Sequence, residues 1–215
     1  MKGVGRPGRW RVGLVCVGWL FLSARPPDRL SAQASLSASL GARYSSTLVH
    51  DSIVSPFDIR LGISPALTLA VALPLEAPWT ADVTLDASYG AVSRHDQSGT
   101  VAPITHVTIL TLGVALRRDL RHGFSASAGA GLLAYLPAEH IGIFRDGGGP
   151  VVPMGTAALG YSPPLAVRRG LALEARYDLH GFLTPALRTE GFVNSTVVHR
   201  VALAVRYRLW KGSPP

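Results

Sequence analysis

The chain has 215 residues and a formal net charge of +8, and 47% of its residues are apolar while only 16% are charged. This length suits one or two domains. About +5 of the charge lies in the first 30 residues, and the remaining basic residues are scattered among aliphatic ones without a basic helix or stacking motif, which speaks against nucleic-acid binding.

Residues 1–32 have the features of a secretory signal peptide. Residues 1–11 are basic, residues 12–22 form an apolar run, and Ala32-Gln33-Ala34 offers the small residues that a signal peptidase reads. The apolar run is short for a membrane-spanning helix, and an uncleaved anchor is the alternative. Because the stretch between the apolar run and the cleavage site is charged, the position of cleavage is not fixed by the sequence and extends as far as residue 34.

The mature chain at 33–215 is predicted to be one domain without cysteine, because Cys16, the single cysteine, lies in the apolar run. Neither a disulfide framework nor a thiol nucleophile would then be present. No lipid anchor is expected either, since Val15 before the cysteine is bulky.

Alternation of apolar and polar residues dominates the mature chain, and no stretch has convincing helical periodicity. In the stretch 170–180, Leu173 and Tyr177 fall on one face of an extended strand and Glu174 and Asp178 on the other, because side chains alternate with a period of two. Most of the runs have close to the 9–11 residues that a tilted strand needs to cross a bilayer, while 59–73 is longer and 110–117 is shorter. The eight predicted strands are 34–45, 59–73, 79–90, 110–117, 124–132, 151–161, 170–180 and 200–209.

The connections between these strands alternate in length. The short ones, marked by Pro, Gly or charge, are 74–78, 118–123 and 162–169. The longer and more polar ones are 45–58, 93–103, 137–150 and 181–195. Short turns at one rim and long loops at the other are typical of an up-and-down outer-membrane barrel. Pro65 interrupts the second strand, and we expect a bulge or the end of a ladder there, because a closed barrel has no free edge.

On these features the mature chain resembles the small eight-stranded outer-membrane barrels of the OmpA/OmpX type over nearly its whole length. The resemblance also rests on a final strand, 201–210, close to the C-terminus. It implies an all-β, eight-stranded antiparallel up-and-down transmembrane β-barrel in the outer membrane of a Gram-negative-type bacterium. Trp210 is out of phase with Tyr207 and Leu209, so the match to the terminal signal of that family is approximate.

The same resemblance implies the partners of the chain. These are the lipid bilayer with lipopolysaccharide-type lipids and the barrel-assembly machinery, which reads the last strand. We expect a monomer without a cofactor, with both termini in the periplasm. The chain stops at the last strand, so no peptidoglycan-binding domain is expected after it.

The predicted outer face is aliphatic along the strands and aromatic near both ends, as interfacial belts require. The predicted belts are Trp79, Phe124, Tyr161 and Tyr207 at the short-turn rim, and Tyr44, Tyr89 and Tyr177 at the long-loop rim. A soluble carrier with Leu and Val lining a ligand cavity is the alternative. The small Ser, Gly, Ala and Thr residues on the opposite face favour a narrow interior.

The opposite face would place charged side chains inside the barrel. A buried charge without a partner costs several kcal/mol, so residues at similar depth are expected to pair. The predicted pairs are Asp82 with Arg117, Glu174 with Arg206 or Arg208, and Asp178 with Arg200. The predicted interior cluster comprises Arg43, Arg60, Asp82, Asp86, Arg117, Glu174, Arg176, Asp178, Arg200, Arg206 and Arg208. We expect it to fill and rigidify the barrel, with a narrow polar channel as the alternative.

Residues suited to catalysis or metal binding are scattered. His50-Asp51-Ser52 and His95-Asp96 lie in predicted loops and His180 ends the seventh strand, but the linear order does not place a nucleophile beside a base. No metal site is predicted, because the spacing of the loop histidines and acids matches no known ligand pattern. We therefore predict a non-enzymatic barrel with a structural or surface-recognition role through its loops. A lipid A deacylase or acyltransferase is the enzymatic alternative.

Overall fold

The computed structural model describes residues 34–51, 56–146, 148–164 and 169–212. The predicted signal peptide lies outside the described residues. In chain order the strands are β1 Ser35–Ser45, β2 Val49–Asp51, β3 Phe57–Leu61, β4 Ser64–Pro74, β5 Trp79–Asp96, β6 Val101–Asp119, β7 Phe124–Pro137, β8 Val151–Tyr161, β9 Leu171–Phe182 and β10 Thr196–Lys211. Within the described ranges, the 3₁₀ turns Arg121–Gly123 and Gly142–Phe144 and the short helix α1 Pro185–Thr189 lie between strands. Among the described residues, no helix combines the length and hydrophobicity that a membrane crossing requires.

Eight of these strands close into a ring. Its order is β1, β4, β5, β6, β7, β8, β9, β10 and back to β1, so neighbours in space are neighbours in sequence. All of these pairings are antiparallel, and the closing pair runs from Ser35 opposite Lys211 to Ser45 opposite Arg200. The first and last described strands therefore start and end at the same rim as the short turns. The predicted eight-stranded antiparallel up-and-down barrel is confirmed.

The two faces of each ring strand have opposite environments. On β9, Leu173 is 54% exposed on the outside, whereas Asp178 is buried inside. The same alternation around the ring produces a continuous apolar outer surface, which we call the outer belt. Its members include Leu40, Leu67, Leu69, Val71, Leu85, Leu110, Leu112, Val114, Leu116, Leu132, Leu159, Leu173, Leu179, Val201, Leu203 and Val205. Period-two alternation was thus sufficient to predict which face of these strands points outward.

The second predicted strand is broken at the position that Pro65 indicated. It forms β3 and β4, and between the Leu61–Val92 pair and the Ala66–Ser88 pair four residues oppose three on β5. This is a β-bulge, which the missing N–H of proline favours. Because one extra residue reverses the phase, residues of β3 with odd numbers point inward while those of β4 with odd numbers point outward.

The connection predicted as a long polar loop at 93–103 is largely β-structure. Here β5 continues to Asp96 and β6 starts at Val101, well before its first pair with β7 at Val107. The Asp96 carboxylate holds the turn, since it accepts hydrogen bonds from the Ser98 hydroxyl at 2.7 Å and the Thr100 amide at 2.8 Å. Together with β2 and β3, this hairpin forms a sheet that extends the barrel wall at the long-loop rim.

The spacing of neighbouring strands predicts that Gly129 and Gly155 differ in their tolerance of a larger side chain. A Cβ atom at Gly129 would collide with the Val114 carbonyl oxygen, whereas a Cβ at Gly155 would meet nothing within 4 Å. We expect Gly129→Ala to destabilise the barrel by about 1–3 kcal/mol, as over-packing does, and Gly155→Ala to have almost no effect. Urea unfolding followed by the heat-dependent gel mobility of the folded barrel measures both variants. Equal losses would contradict the difference in packing.

Candidate functional site

Two ion pairs lie inside the barrel toward the short-turn rim. Arg117 Nη1 is 3.3 Å from Asp82 Oδ2, and the guanidinium of Arg206 donates to the Glu174 carboxylate. Both pairs match the prediction from depth along the strands. They border a cavity of about 260 Å³ that opens at this rim. Arg208 also lines this cavity, but its side chain is exposed and lies at the mouth rather than in the interior.

A second set of charges lies at the middle of the barrel. Arg43 binds Asp86 through both guanidinium nitrogens, with Nη2 3.0 Å from Oδ2, and Thr68 donates to the same carboxylate at 2.7 Å. Arg43 Nη2 also lies 3.8 Å from Asp178, which Arg176 Nε approaches to 2.8 Å. All four charged side chains are buried. This central cluster connects β1, β4, β5 and β9, so it braces strands that are not neighbours.

The predicted pair of Asp178 with Arg200 is wrong. The two residues are directly opposite each other in the β9–β10 register, but the Asp178 carboxylate turns toward Arg176 and Arg43. Arg200 is fully buried, and its Nη2 donates to the Ser88 hydroxyl at 3.0 Å. Arg43, which reaches across the lumen, thus competes with Arg200, the residue opposite in the register, for the Asp178 carboxylate.

Arg60 does not lie in the interior, contrary to the prediction. Its side chain is 53% exposed and binds Asp58, with Nη2 2.5 Å from Oδ2. The bulge between β3 and β4 is the reason, because it turns Ile59 and Leu61 inward and Arg60 outward. The remaining members of the predicted cluster are inside, either buried or partly buried; they are Arg43, Asp82, Asp86, Arg117, Glu174, Arg176, Asp178, Arg200 and Arg206.

Apolar side chains close the interior at the long-loop rim, and we call this set the apolar plug. The ring strands contribute to it together with β2, the 3₁₀ turn at Gly142–Phe144 and α1. Its buried members are Leu48, Val49, Ile59, Leu61, Val92, Val107, Ile109, Leu133, Tyr135, Ile143, Phe144, Met154, Phe182, Leu187 and Val198. Phe144 and Phe182 meet edge to face, with ring centroids 6.2 Å apart. The loops therefore fold into the mouth instead of extending freely.

The apolar plug was missed in the sequence, although two stretches carried a signal. Residues 107–112 and the pair Leu132-Leu133 are apolar on both faces of the strand. A strand that is apolar on both faces is covered on both sides. These two stretches therefore predict apolar side chains inside the barrel near the long-loop rim. At the boundary between the plug and the central cluster, the Tyr135 hydroxyl lies 2.7 Å from His180 Nε2, with both side chains buried.

An outward-facing group of polar side chains lies on β2, β3 and the upper part of β5, and we call it the outer polar patch. It comprises His50, Asp58, Arg60, Ser93 and His95. His50 Nδ1 is 2.7 Å from Asp58 Oδ1, and Ser93 Oγ is 2.9 Å from His95 Nε2. The hydrogen bonds from His50 and then Arg60 lower the pKa of Asp58 below its usual value, so this carboxylate stays ionised.

The candidate catalytic histidines contact residues other than the neighbouring candidates in the sequence. His50 contacts Asp58, and Ser52 lies outside the described residues. His95 contacts Ser93, a residue that the sequence did not single out, while Asp96 holds the hairpin turn. The part of the chain that the structure describes contains no group of three or more His, Cys, Asp and Glu side chains suited to a metal ion.

The fold is similar to that of small outer-membrane β-barrel proteins. Ail, the attachment invasion locus protein of Yersinia pestis, is 12% identical over 82% of this chain and 99% of its own, with a TM-score of 0.45. OprG from Pseudomonas aeruginosa is 12% identical over 84% and 97%, with a TM-score of 0.47. The outer membrane protein AlkL is 13% identical over 86% and 94%, with a TM-score of 0.44. No family model and no curated protein matches the sequence.

The central cluster predicts a large cost for removing one charge. We expect Asp86→Asn to destabilise the barrel by about 3–5 kcal/mol, because the buried Arg43 loses its closest counter-charge. Glu190→Gln is the control, since Glu190 pairs with Arg145 on the surface and an exposed pair contributes about 0–1 kcal/mol. Urea unfolding of both variants checks the difference. Losses of similar size would show that the central pair does not brace the ring.

Proposed function

We propose that the protein is an integral outer-membrane β-barrel with a filled interior and a structural or surface-recognition role through its long-loop rim. The observation that carries this proposal is the outer belt. Leucine and valine side chains are exposed on all eight ring strands or their rims, whereas arginine and aspartate are buried inside. A water-soluble barrel has the opposite arrangement, because charge is stable in water and apolar surface is not.

Aromatic side chains at both ends of the outer belt support the membrane placement. Trp79, Phe124 and Tyr207 are exposed near the short-turn rim, and Tyr89 and Tyr177 near the long-loop rim. Tyr and Trp prefer the water–lipid interface, where the ring contacts acyl chains and the polar atom remains hydrated. The height between the two groups then corresponds to the hydrocarbon layer.

The orientation follows from the two rims. In outer-membrane barrels the short turns are periplasmic and the long loops extracellular. In the proposed orientation, Ser35 and Lys211 face the periplasm and the apolar plug lies at the cell surface. The expected partners are the bilayer lipids, including lipopolysaccharide-type lipids, and the assembly machinery that would read β10. A monomer is sufficient, because the ring closes within one chain.

A sealed interior favours this role over that of a passive channel. Moving along the barrel axis, a solute would first meet the apolar plug and then the central cluster, where Arg43 and Asp86 are fully buried. Above the plug, Arg145 beside the 3₁₀ turn pairs with Glu190 after α1 at 2.9 Å, so the two segments that cover the plug contact each other. The described part of the long-loop rim thus presents a surface whose segments contact one another, which lowers the ordering cost of binding a partner.

Replacing an outer-belt residue with a charge tests the membrane placement. Leu112 lies at mid-height on the outer face of β6, and Leu120 lies beyond the end of the same strand. In a bilayer we expect Leu112→Arg to cost about 2–4 kcal/mol and Leu120→Arg about 0–1 kcal/mol. Reversible urea unfolding in phospholipid vesicles measures both. If Leu112→Arg were harmless, the belt would face water and the proposal would fail.

Electrical recording tests the sealed interior. The purified protein in a planar bilayer is expected to carry no steady current, because the plug and the central cluster fill the interior that the described residues enclose. Replacing both Phe144 and Leu187 with serine removes apolar contacts from the plug, and we expect brief openings in this variant. A steady current through the unmodified protein would contradict the filled interior and support a channel.

A further inference from the structure

A pocket lined by three cations lies inside the barrel at the short-turn rim, and we call it the basic pocket. It has a volume of about 160 Å³, and its charged lining residues in the described part of the chain are Arg117, Arg208 and Lys211. Asp119 and Glu174, which line the neighbouring cavity of 260 Å³, are not among them. The basic pocket therefore brings three positive charges together without a carboxylate among the described residues of its wall.

A β-bulge in β10 turns Lys211 into this pocket. Strands β1 and β10 pair one to one as far as Arg208, and beyond it Leu209 is an extra residue of β10. Leu209 and Trp210 are consequently both exposed on the outer face, although they are consecutive. Lys211 returns to the inward face, opposite Ser35. Without the bulge, regular alternation would point Lys211 outward, away from the pocket.

Backbone hydrogen bonds hold both cations of β10 in place. The Arg208 amide donates to the Gly170 carbonyl at 2.8 Å. Beyond Lys211, the Gly212 amide donates to the Ala34 carbonyl, also at 2.8 Å. The pairing of β1 with β10 therefore continues past Lys211. Because these backbone positions are fixed before a ligand arrives, binding does not have to order them.

Small side chains between β10 and β6 leave the space for a ligand. Following the ring, Ser35 on β1, Ala72 on β4 and Thr80 on β5 line the pocket. Ser35 is opposite both Lys211 and Ala72 in the strand register, and Thr80 is opposite Arg117. Higher in the barrel, the long side chains of the central cluster occupy the corresponding space. At the level of the basic pocket, the cations border a cavity instead.

The charge of this pocket is only partly compensated. Arg117 Nη1 is 3.3 Å from Asp82 Oδ2, and its Nε is 3.8 Å from Asp119 Oδ1. A guanidinium has five N–H donors, so these contacts leave donors for an anion. Within the described residues, the ion pairs inside this rim are those two and the pair of Arg206 with Glu174. The charges of the two other pocket cations, on β10, therefore have no carboxylate partner there.

The lining selects a small, doubly charged oxyanion. Guanidinium groups bind phosphate through parallel N–H···O hydrogen bonds, and a lysine ammonium binds it as a point charge. A dianion matches the two uncompensated charges of Arg208 and Lys211 better than a monocarboxylate does. The hydroxyls of Ser35 and Thr80 can donate to further oxygens. The volume lies below the roughly 300–1,000 Å³ of pockets for drug-sized ligands. We propose that the basic pocket binds inorganic phosphate or a small phosphate monoester.

The position of the pocket indicates where this ligand comes from. Arg208, Lys211 and Ser35 are on the inward face of the ring, so the ligand enters from the water at the rim and not from the hydrocarbon layer. In the proposed orientation, this water is the periplasm. Binding itself requires only the barrel fold and its cations, so its test is independent of the membrane placement.

Calorimetric titration of the full chain with inorganic phosphate tests the pocket, in micelles of an uncharged detergent at physiological ionic strength. Saturable binding is expected, and Arg208→Gln and Lys211→Gln should each weaken it by about 10–100-fold, as loss of a hydrogen bond to a charged group does. Arg118→Gln is the matched control. It removes the same charge from the same rim, but the Arg118 guanidinium lies over the Trp79 ring on the outer face, 5.5 Å from its centroid. Heat-dependent gel mobility establishes that every variant is folded.

Two further titrations distinguish the pocket from diffuse surface charge and a soluble ligand from a lipid headgroup. Ser35→Leu keeps every charge but fills the pocket, so it should abolish binding. Glycerol 3-phosphate should compete with inorganic phosphate, whereas phosphatidic acid in mixed micelles should not. Absence of phosphate binding, or an equal loss in Arg118→Gln, would overturn the proposal even if the barrel spans a membrane. Displacement of phosphate by phosphatidic acid would overturn the assignment to a soluble ligand.

Discussion

The contact between Arg43 and Asp86 determines what the barrel interior can be. The ring is narrow, so a guanidinium from β1 reaches a carboxylate on β5 across β4. Removed from water, each charge is tolerated only because the other is bound to it and Thr68 completes the carboxylate shell. The pair thereby fixes the distance between strands that share no backbone hydrogen bonds. The same pair therefore both fills the lumen and holds the ring strands at the distance at which the ring closes.

The interior changes from charged to apolar along the barrel axis, and the two parts depend on each other. Below the boundary, the central cluster needs a dry environment in which its contacts are strong. Above it, the apolar plug provides that environment by folding α1 and the 3₁₀ turn into the mouth. The Tyr135–His180 hydrogen bond lies between them, with an aromatic ring toward the plug and polar atoms toward the charges. Loops at this rim are therefore part of the core.

The sequence predicted the features that depend on local order and missed those that depend on an extra residue or on distant segments. Alternation identified the faces of the strands, and depth identified the Asp82–Arg117 pair. Alternation placed Arg60 inside, because a one-residue bulge after β3 reverses the faces of β3 relative to those of β4. Asp178 pairs with Arg176 and not with Arg200, because the strand register does not determine which of two nearby side chains a carboxylate binds. The plug depends on loops whose packing has no periodicity.

The same bulge accounts for the outer polar patch. Without its extra residue, Asp58 and Arg60 would continue the inward phase of Ser64 and Ala66, and Ile59 and Leu61 would point outward. With it, the two apolar residues join the plug, and the two charges emerge opposite Ser93 and His95. Bulges commonly re-aim side chains at functional sites. Here one inserted residue both completes the seal of the barrel and places Arg60 and Asp58 opposite Ser93 and His95 on the outward face of the sheet.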